Sequence, residues 1–120
     1  MCGELRLQVY VPHLTTDPVN NPDITPQLVF ETDKYQISQA DLVIAYIGIP
    51  SLGVGMELAY AEVNKIPIIL LYEENKHISR FPRGIPTVIS EIQFSSYDDA
   101  LAQLKIFLRK WSEKSVLALG

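Results

Sequence analysis

Apolar residues alternate at Leu5, Leu7, Val9 and Val11, a period of two that predicts a strand, and Pro12 would end its ladder because it has no N–H to donate. The polar stretch from His13 to Ile24, rich in Thr, Asn, Asp and Pro, reads as a loop. Thr25-Pro26 has the chemistry of a helix start, with Thr as N-cap and Pro at the first helical position, and the helix can run to about Ser38. Leu42 to Ile47 is a continuous apolar run between Asp41 and Gly48, the pattern of a strand covered on both faces. Pro50 to Gly55 reads as a turn, followed by a helix from about Gly55 to Asn64 with Val54, Leu58 and Ala61 on one side. Ile68 to Tyr72 repeats the doubly covered pattern. Glu73 to Pro86 carries charges, two prolines and Gly84, as a long loop with room for a short helical turn would. Ile92 to Phe94 is a candidate short edge strand. Ser96 with Asp99 resembles a capping box, and Leu101, Leu104, Leu108 and Trp111 form the stripe of an amphipathic helix.

Helices alternating with doubly apolar strands predict an α/β fold, a Rossmann-like (flavodoxin-like) parallel sheet flanked by helices on both faces. Such sheets bind ligands beyond the carboxyl ends of their strands, here near Gly48 to Glu57 and near Glu73. At 120 residues, with no repeat, low-complexity tract or linker, residues 1–120 read as a single domain. The 48% hydrophobic content and 20% charge are those of an ordinary globule that needs no disulfide or structural metal. A formal charge of −4 argues against a nucleic-acid polymer as partner. The single Cys2 and the separated His13 and His77 form no ligand cluster, so no metal is expected. The longest apolar run, Ile66 to Tyr72, is far shorter than the ~20 residues of a membrane span. With no basic-then-apolar leader in this sequence, a cytoplasmic location is expected and a membrane partner is not.

Two carboxylates fall where apolar residues belong. On a helical wheel Asp33 lies between Val29 and Ile37 and beside Phe30, inside the stripe expected to face the core. Burying a charge there without a partner costs several kcal/mol. The alternative is a rim position in which Asp33 accepts from a loop N–H. Glu57 falls in the first turn of the helix expected from Gly55, at the edge of its apolar stripe, where the helix N-terminus alone would account for an acid. The preceding residues add to this, because Gly53 and Gly55 let backbone approach a ligand and Ser51 offers a hydroxyl beside free amides, a candidate anion or sugar cradle. Gly53-x-Gly55 is neither a dinucleotide fingerprint nor a Walker loop. One carboxyl group kept protonated and one ionised are what glycosyl transfer requires.

The string Ala40-Asp41-Leu42-Val43-Ile44-Ala45, continuing through Pro50-Ser51-Leu52-Gly53-Val54-Gly55-Met56-Glu57-Leu58-Ala59-Tyr60-Ala61 to Lys65-Ile66-Pro67-Ile68, resembles the nucleoside 2-deoxyribosyltransferase family. It is most similar to the branch that hydrolyses deoxynucleoside 5′-monophosphates, over about Val9 to Gly84. The resemblance implies that Glu57 is the nucleophile that attacks C1′ of the deoxyribose, giving a covalent deoxyribosyl-enzyme, and that Asp33 helps place the sugar and protonates the departing base. It implies that Ser51 and a serine of the neighbouring subunit, matched by Ser79 across a small gap before Arg83-Gly84, hold the 5′-phosphate. The plain alternative for either serine is solvation of a loop. Asp41 is more simply a capping or turn residue, and Tyr60 and Ala61 core packing.

In one respect the chain departs from the pattern. Family members begin with a strand and a glycine-rich loop of the type Tyr-x-Ala/Cys-Gly-Ser/Pro, which Cys2-Gly3 does not match, so a sheet lacking the family's first strand is expected. The strands at Leu5–Val11 and Leu42–Ile47 would then pair directly, accept a strand from a neighbouring chain, or be joined by residues outside this sequence. The expected function is cleavage or transfer of the N-glycosidic bond of 2′-deoxynucleosides or their 5′-monophosphates, with a small-molecule substrate, no cofactor and a homodimeric or larger assembly that brings Ser79 to the site. A nucleotide-binding module without turnover and a structural oligomerisation domain are the competing readings.

Overall fold

The computed structural model describes residues 8–12 and 25–119, except the side chains of 112–119. The expected strand from Leu5 to Val11 is shortened to β1 (Val9–Tyr10), with Gln8 and Val11 beside it outside the strand; residues 5–7 and the expected loop at 13–24 lie outside the described residues. There follow α1 (Pro26–Gln39), β2 (Leu42–Tyr46), α2 (Leu52–Val63), β3 (Ile68–Glu73), the single turn α3 (Arg80–Arg83), β4 (Val88–Phe94) and α4 (Tyr97–Leu119). All four strands are parallel and hydrogen-bond in the order β1-β2-β3-β4.

Consecutive residues of a strand point to opposite faces, and β2 and β3 are apolar on both. Val43, Ala45, Ile68 and Leu70 pack with Ile37 of α1 and with Val54, Leu58 and Ala61 of α2. Leu42, Ile44 and Ile69 face the other way, onto Ile92 of β4 and Leu104 and Leu108 of α4. The sheet is therefore covered on both sides, as the doubly apolar runs require. β1 pairs directly with β2, Val9 opposite Leu42 and Tyr10 opposite Val43, which is the first of the three arrangements open to these strands. Asp41 extends the pairing at its start: its N–H donates to the Gln8 carbonyl at 2.7 Å and its carboxylate accepts from the Gln8 N–H at 3.0 Å. It is the turn residue that its position at the head of a strand predicted.

The helix ends follow local chemistry. Thr25 caps α1, its hydroxyl accepting from the Leu28 N–H at 3.2 Å, with Pro26 at the first position. In α4 the Asp99 N–H donates to the Ser96 hydroxyl at 3.1 Å, and the Asp99 carboxylate accepts from the Ser95 N–H at 2.9 Å.

Three expectations are corrected. α2 begins at Leu52 rather than near Gly55, because Ser51 is its N-cap and accepts from the Val54 N–H at 3.3 Å; Gly53 and Gly55 are therefore helical, not loop. β4 extends back to Val88, seven residues in place of three, since an edge strand tolerates the outward Glu91 and Gln93 that interrupt its apolar pattern. The buried face of α4 runs through Ala100, Leu104 and Leu108, while Leu101 is 42% exposed, one position off the predicted stripe.

α3 is tied to β4 by one carboxylate. Glu91 Oε1 accepts from Arg83 Nε and from the Tyr72 hydroxyl, each at 2.7 Å. Burial pushes the Glu91 carboxyl up, but the hydrogen bonds from Tyr72 and Arg83 outweigh it and hold the group below the usual glutamate range. A depressed folded-state pKa contributes stability above the unfolded value and loses it as pH falls. Glu91→Gln should therefore be less stable than the wild type at pH 7 in urea unfolding, with the difference closing below about pH 4; a difference that persists undiminished at pH 3 would rule the charge out as its source.

Candidate active site

The helices α1 and α2 lie side by side on one face of the sheet, and between them opens a cleft of about 550 Å³. Asp33 of α1 and Glu57 of α2 both line it, so the structure brings together the two carboxylates that the helical wheels single out. Their settings differ from those expected. Glu57 stands six residues after the N-cap Ser51, in the second turn of α2, so the helix N-terminus is not what holds it. It is a buried residue, 9% exposed, and its Oε2 accepts a 2.7 Å hydrogen bond from the Tyr10 hydroxyl on β1. Burial, with the adjoining Glu57 carboxylate, drives the Tyr10 hydroxyl far above its ordinary range, so that it stays protonated and donates. Asp33 is half-buried; Phe30 of the same helix is 53% exposed, so the part of the α1 stripe assigned to the core walls a cleft instead.

Gly53 shares this cleft, one turn before Glu57. A Cβ at Gly53 would stand 3.8 Å from Glu57 Oε1 and 3.9 Å from Ser51 Oγ, ordinary contact distances. Packing therefore does not demand a glycine there.

A second cleft of about 430 Å³ lies on the other side of the same helix start, bounded by Gly48, Ser51, Gly55, His77 and Ser79. Ser51 and Ser79 both line it within one chain, where the resemblance implies a serine of the neighbouring subunit. The second cleft flanks the first turns of α2, beyond the carboxyl end of β2, where a parallel sheet is expected to bind, while the first runs along α2 from Gly53 to Val63. Glu73 belongs to neither lining. Both its oxygens accept from the Tyr46 hydroxyl, at 2.6 and 2.7 Å, and Lys76 lies 3.5 Å away. Gly48 is constrained by this pair, because a methyl group there would overlap the Tyr46 hydroxyl.

Tyr10 is the site residue that pattern reading missed, since the alternation of Val9 and Val11 draws attention to the other face of the strand. The available signal was that a tyrosine in a strand, wherever it is buried, must find a partner for its hydroxyl. Tyr60, read as core packing, does pack against the core but also lines the cleft. Among the described residues no group of three His, Cys, Asp or Glu side chains could hold a metal, and no helix is long and apolar enough to cross a membrane.

The fold and the site together define an α/β domain with two carboxylates in a cleft between helices on one face of the sheet, beside the serine-capped first turn of α2. The comparisons narrow this description. No family model matches the chain. A protein of Thermofilum pendens that carries the provisional name 2′-deoxynucleoside 5′-phosphate N-hydrolase 1 is 33% identical over 104 residues, covering 83% of this chain and 73% of that protein. Proteins of the same provisional name from Syntrophotalea carbinolica and Methanosarcina mazei are 37% identical over 79 residues and 32% identical over 85. The match spans 55% and 52% of their lengths, about half of each. Among solved structures, the Clostridium botulinum CMP N-glycosidase BcmB superposes with a TM-score of 0.69 at 23% identity, over 82% of this chain and 98% of that one, a likeness of fold. The chain belongs to the nucleoside 2-deoxyribosyltransferase family.

The Tyr10–Glu57 bond generates a prediction that needs no substrate. Tyr10→Phe removes a donor to a buried carboxylate and should lower the unfolding free energy by about 1.5–3 kcal/mol. In a double-mutant cycle with Glu57→Gln the two changes should couple; strict additivity in urea unfolding would mean that the bond contributes nothing.

Proposed function

We propose that this protein cleaves the N-glycosidic bond of a 2′-deoxynucleoside 5′-monophosphate, with Glu57 as nucleophile and Asp33 as proton donor. The observation that carries the reading is a buried glutamate, oriented by a tyrosine hydroxyl at 2.7 Å, in the same cleft as a second, half-buried carboxyl group. The provisional names of the relatives support the same bond.

In the first step a Glu57 oxygen forms a bond to C1′ as the C1′–N bond breaks. The electron pair passes to the base nitrogen, and the proton that neutralises the base comes from Asp33 in its acid form. In the second step water attacks C1′, its proton passes to the Asp33 carboxylate, and the sugar leaves Glu57, restoring both groups. A second base in place of water would give transfer, so the product ratio with and without added free base separates hydrolase from transferase. Tyr10 keeps the Glu57 carboxylate in one orientation through its Oε2. Ser51 and Ser79 are the candidate ligands of the 5′-phosphate: the Ser51 hydroxyl accepts from Val54 and keeps its own hydrogen to donate, and Ser79 has no side-chain bond at the start of α3. None of these steps calls for a cofactor.

Glu57→Gln retains an acceptor for Tyr10 and should stay folded, while losing base release by orders of magnitude. Asp33→Asn should slow the poorer leaving bases most, because those depend on protonation. Chromatography of free base from each deoxynucleoside and its 5′-monophosphate tests both; release at the wild-type rate from Glu57→Gln removes the mechanism. Nucleotide-induced thermal stabilisation without base release would select a binding module instead.

The homodimer also stands as a proposal. Leu52, Met56 and Val63 are 90%, 64% and 76% exposed along α2, and because Met56 and Val63 also line the cleft, a second copy covering this stripe would form part of the wall of the site. Sedimentation equilibrium at micromolar concentration should return a dimer mass, and a monomer mass would exclude it.

A further inference from the structure

The described lining of the cleft between α1 and α2 contains one cationic side chain, Lys34. Its Nζ stands 5.6 Å from the ring centroid of Phe30, one turn earlier on α1, and 5.9 Å from that of Tyr60 on α2. The ammonium is thus held by an aromatic ring from each wall. Ring faces attract a cation without accepting its hydrogens in the manner of an oxygen, and among the described residues no side-chain or backbone acceptor takes the Lys34 N–H groups. Both residues line the cleft, Glu57 as a buried group and Lys34 as an exposed one, so within the cleft the ammonium is the side nearer solvent.

We infer that Lys34 is a specificity-determining residue that favours bases carrying a keto group, rather than an amino group, on the edge furthest from the glycosidic bond. The inference rests on the reading of Glu57 as the group that faces C1′. A base bonded to C1′ then extends from Glu57 toward solvent and presents its far edge to Lys34. An ammonium has three donors and no acceptor. The O6 of a 6-oxopurine or the O4 of a 4-oxopyrimidine accepts from it, whereas the exocyclic amino group of adenine or cytosine sets donor against donor. The same contact stabilises negative charge developing on the departing base, so it acts on the chemical step as well as on binding. The favoured substrates are the deoxynucleoside monophosphates of guanine, thymine and uracil.

The test compares dGMP with dAMP and dTMP with dCMP, reading kcat/KM for base release in the wild-type chain, Lys34→Met and Lys34→Arg. Methionine keeps the aliphatic stem against the rings and arginine keeps the charge, so a folding defect in one is exposed by the other. The wild type should favour the keto member of each pair about tenfold, the size expected of one charged hydrogen bond at a solvent-facing position. Lys34→Met should bring each ratio to within about twofold, with the loss falling on the keto substrates, and Lys34→Arg should keep most of the preference. A ratio unchanged in Lys34→Met, or an equal loss on all four nucleotides, overturns the inference while leaving the Glu57 chemistry standing. If no nucleotide releases its base, the functional reading fails and binding decides the question. Titration calorimetry of dGMP and dAMP on Glu57→Gln, with and without Lys34→Met, should then show a Kd ratio that depends on Lys34; an insensitive ratio, or no binding of either nucleotide, overturns it.

Discussion

One hydrogen bond joins the edge of the sheet to the candidate site. The Tyr10 hydroxyl reaches from β1 to Glu57 in α2, and a buried carboxylate with a donor so placed has one preferred orientation. Without β1 paired against β2 the tyrosine would have no fixed position, and the two bonds between Gln8 and Asp41 extend that pairing at its start. The chain of contacts runs from a turn carboxylate, through a two-residue strand, to a glutamate in a helix 47 residues further along the sequence.

The sheet serves as a partition. On the α4 side, Leu42, Ile44, Ile69, Leu104 and Leu108 pack into an apolar layer. On the α1 and α2 side, the layer nearest the sheet is equally apolar, but the outer turns of the two helices separate into a cleft. Apolar residues there, Phe30 and Met56 among them, remain exposed, 53% and 64%, along the walls of that cleft. The start of α2 borders both clefts. Ser51 caps the helix, Gly53 lines the cleft that holds Glu57, and the second cleft, with Ser79, lies on the far side of the same turn.

Much of this was legible in the sequence because it depends on local chemistry or on period. The doubly apolar runs at Leu42 and Ile68 require cover on both faces, Thr25-Pro26 and Ser96 with Asp99 cap helices by short-range bonds, and a carboxylate inside an apolar stripe is conspicuous wherever the helix packs. For these reasons the parallel α/β fold could be read from the residues, and so could the singling out of Asp33 and Glu57. The start of α2 was misplaced because two glycines suggest a loop, and a cap bond from Ser51 to Val54 outweighs their low helix propensity.

What only the tertiary structure decided was pairing at a distance. Period and capping say which face of a helix is apolar, but not whether that face meets the sheet or a cleft, and so the stripe that holds Asp33 and Phe30 was assigned to the core. Nor does strand alternation reveal that Tyr10 donates to Glu57, that Lys34 sits between rings of two helices, or that Ser51 and Ser79 share a cleft within one chain. Each of these contacts joins residues on different elements. Their meeting depends on how far apart and at what angle the helices settle on the sheet, a balance of packing across the whole core that no local pattern encodes.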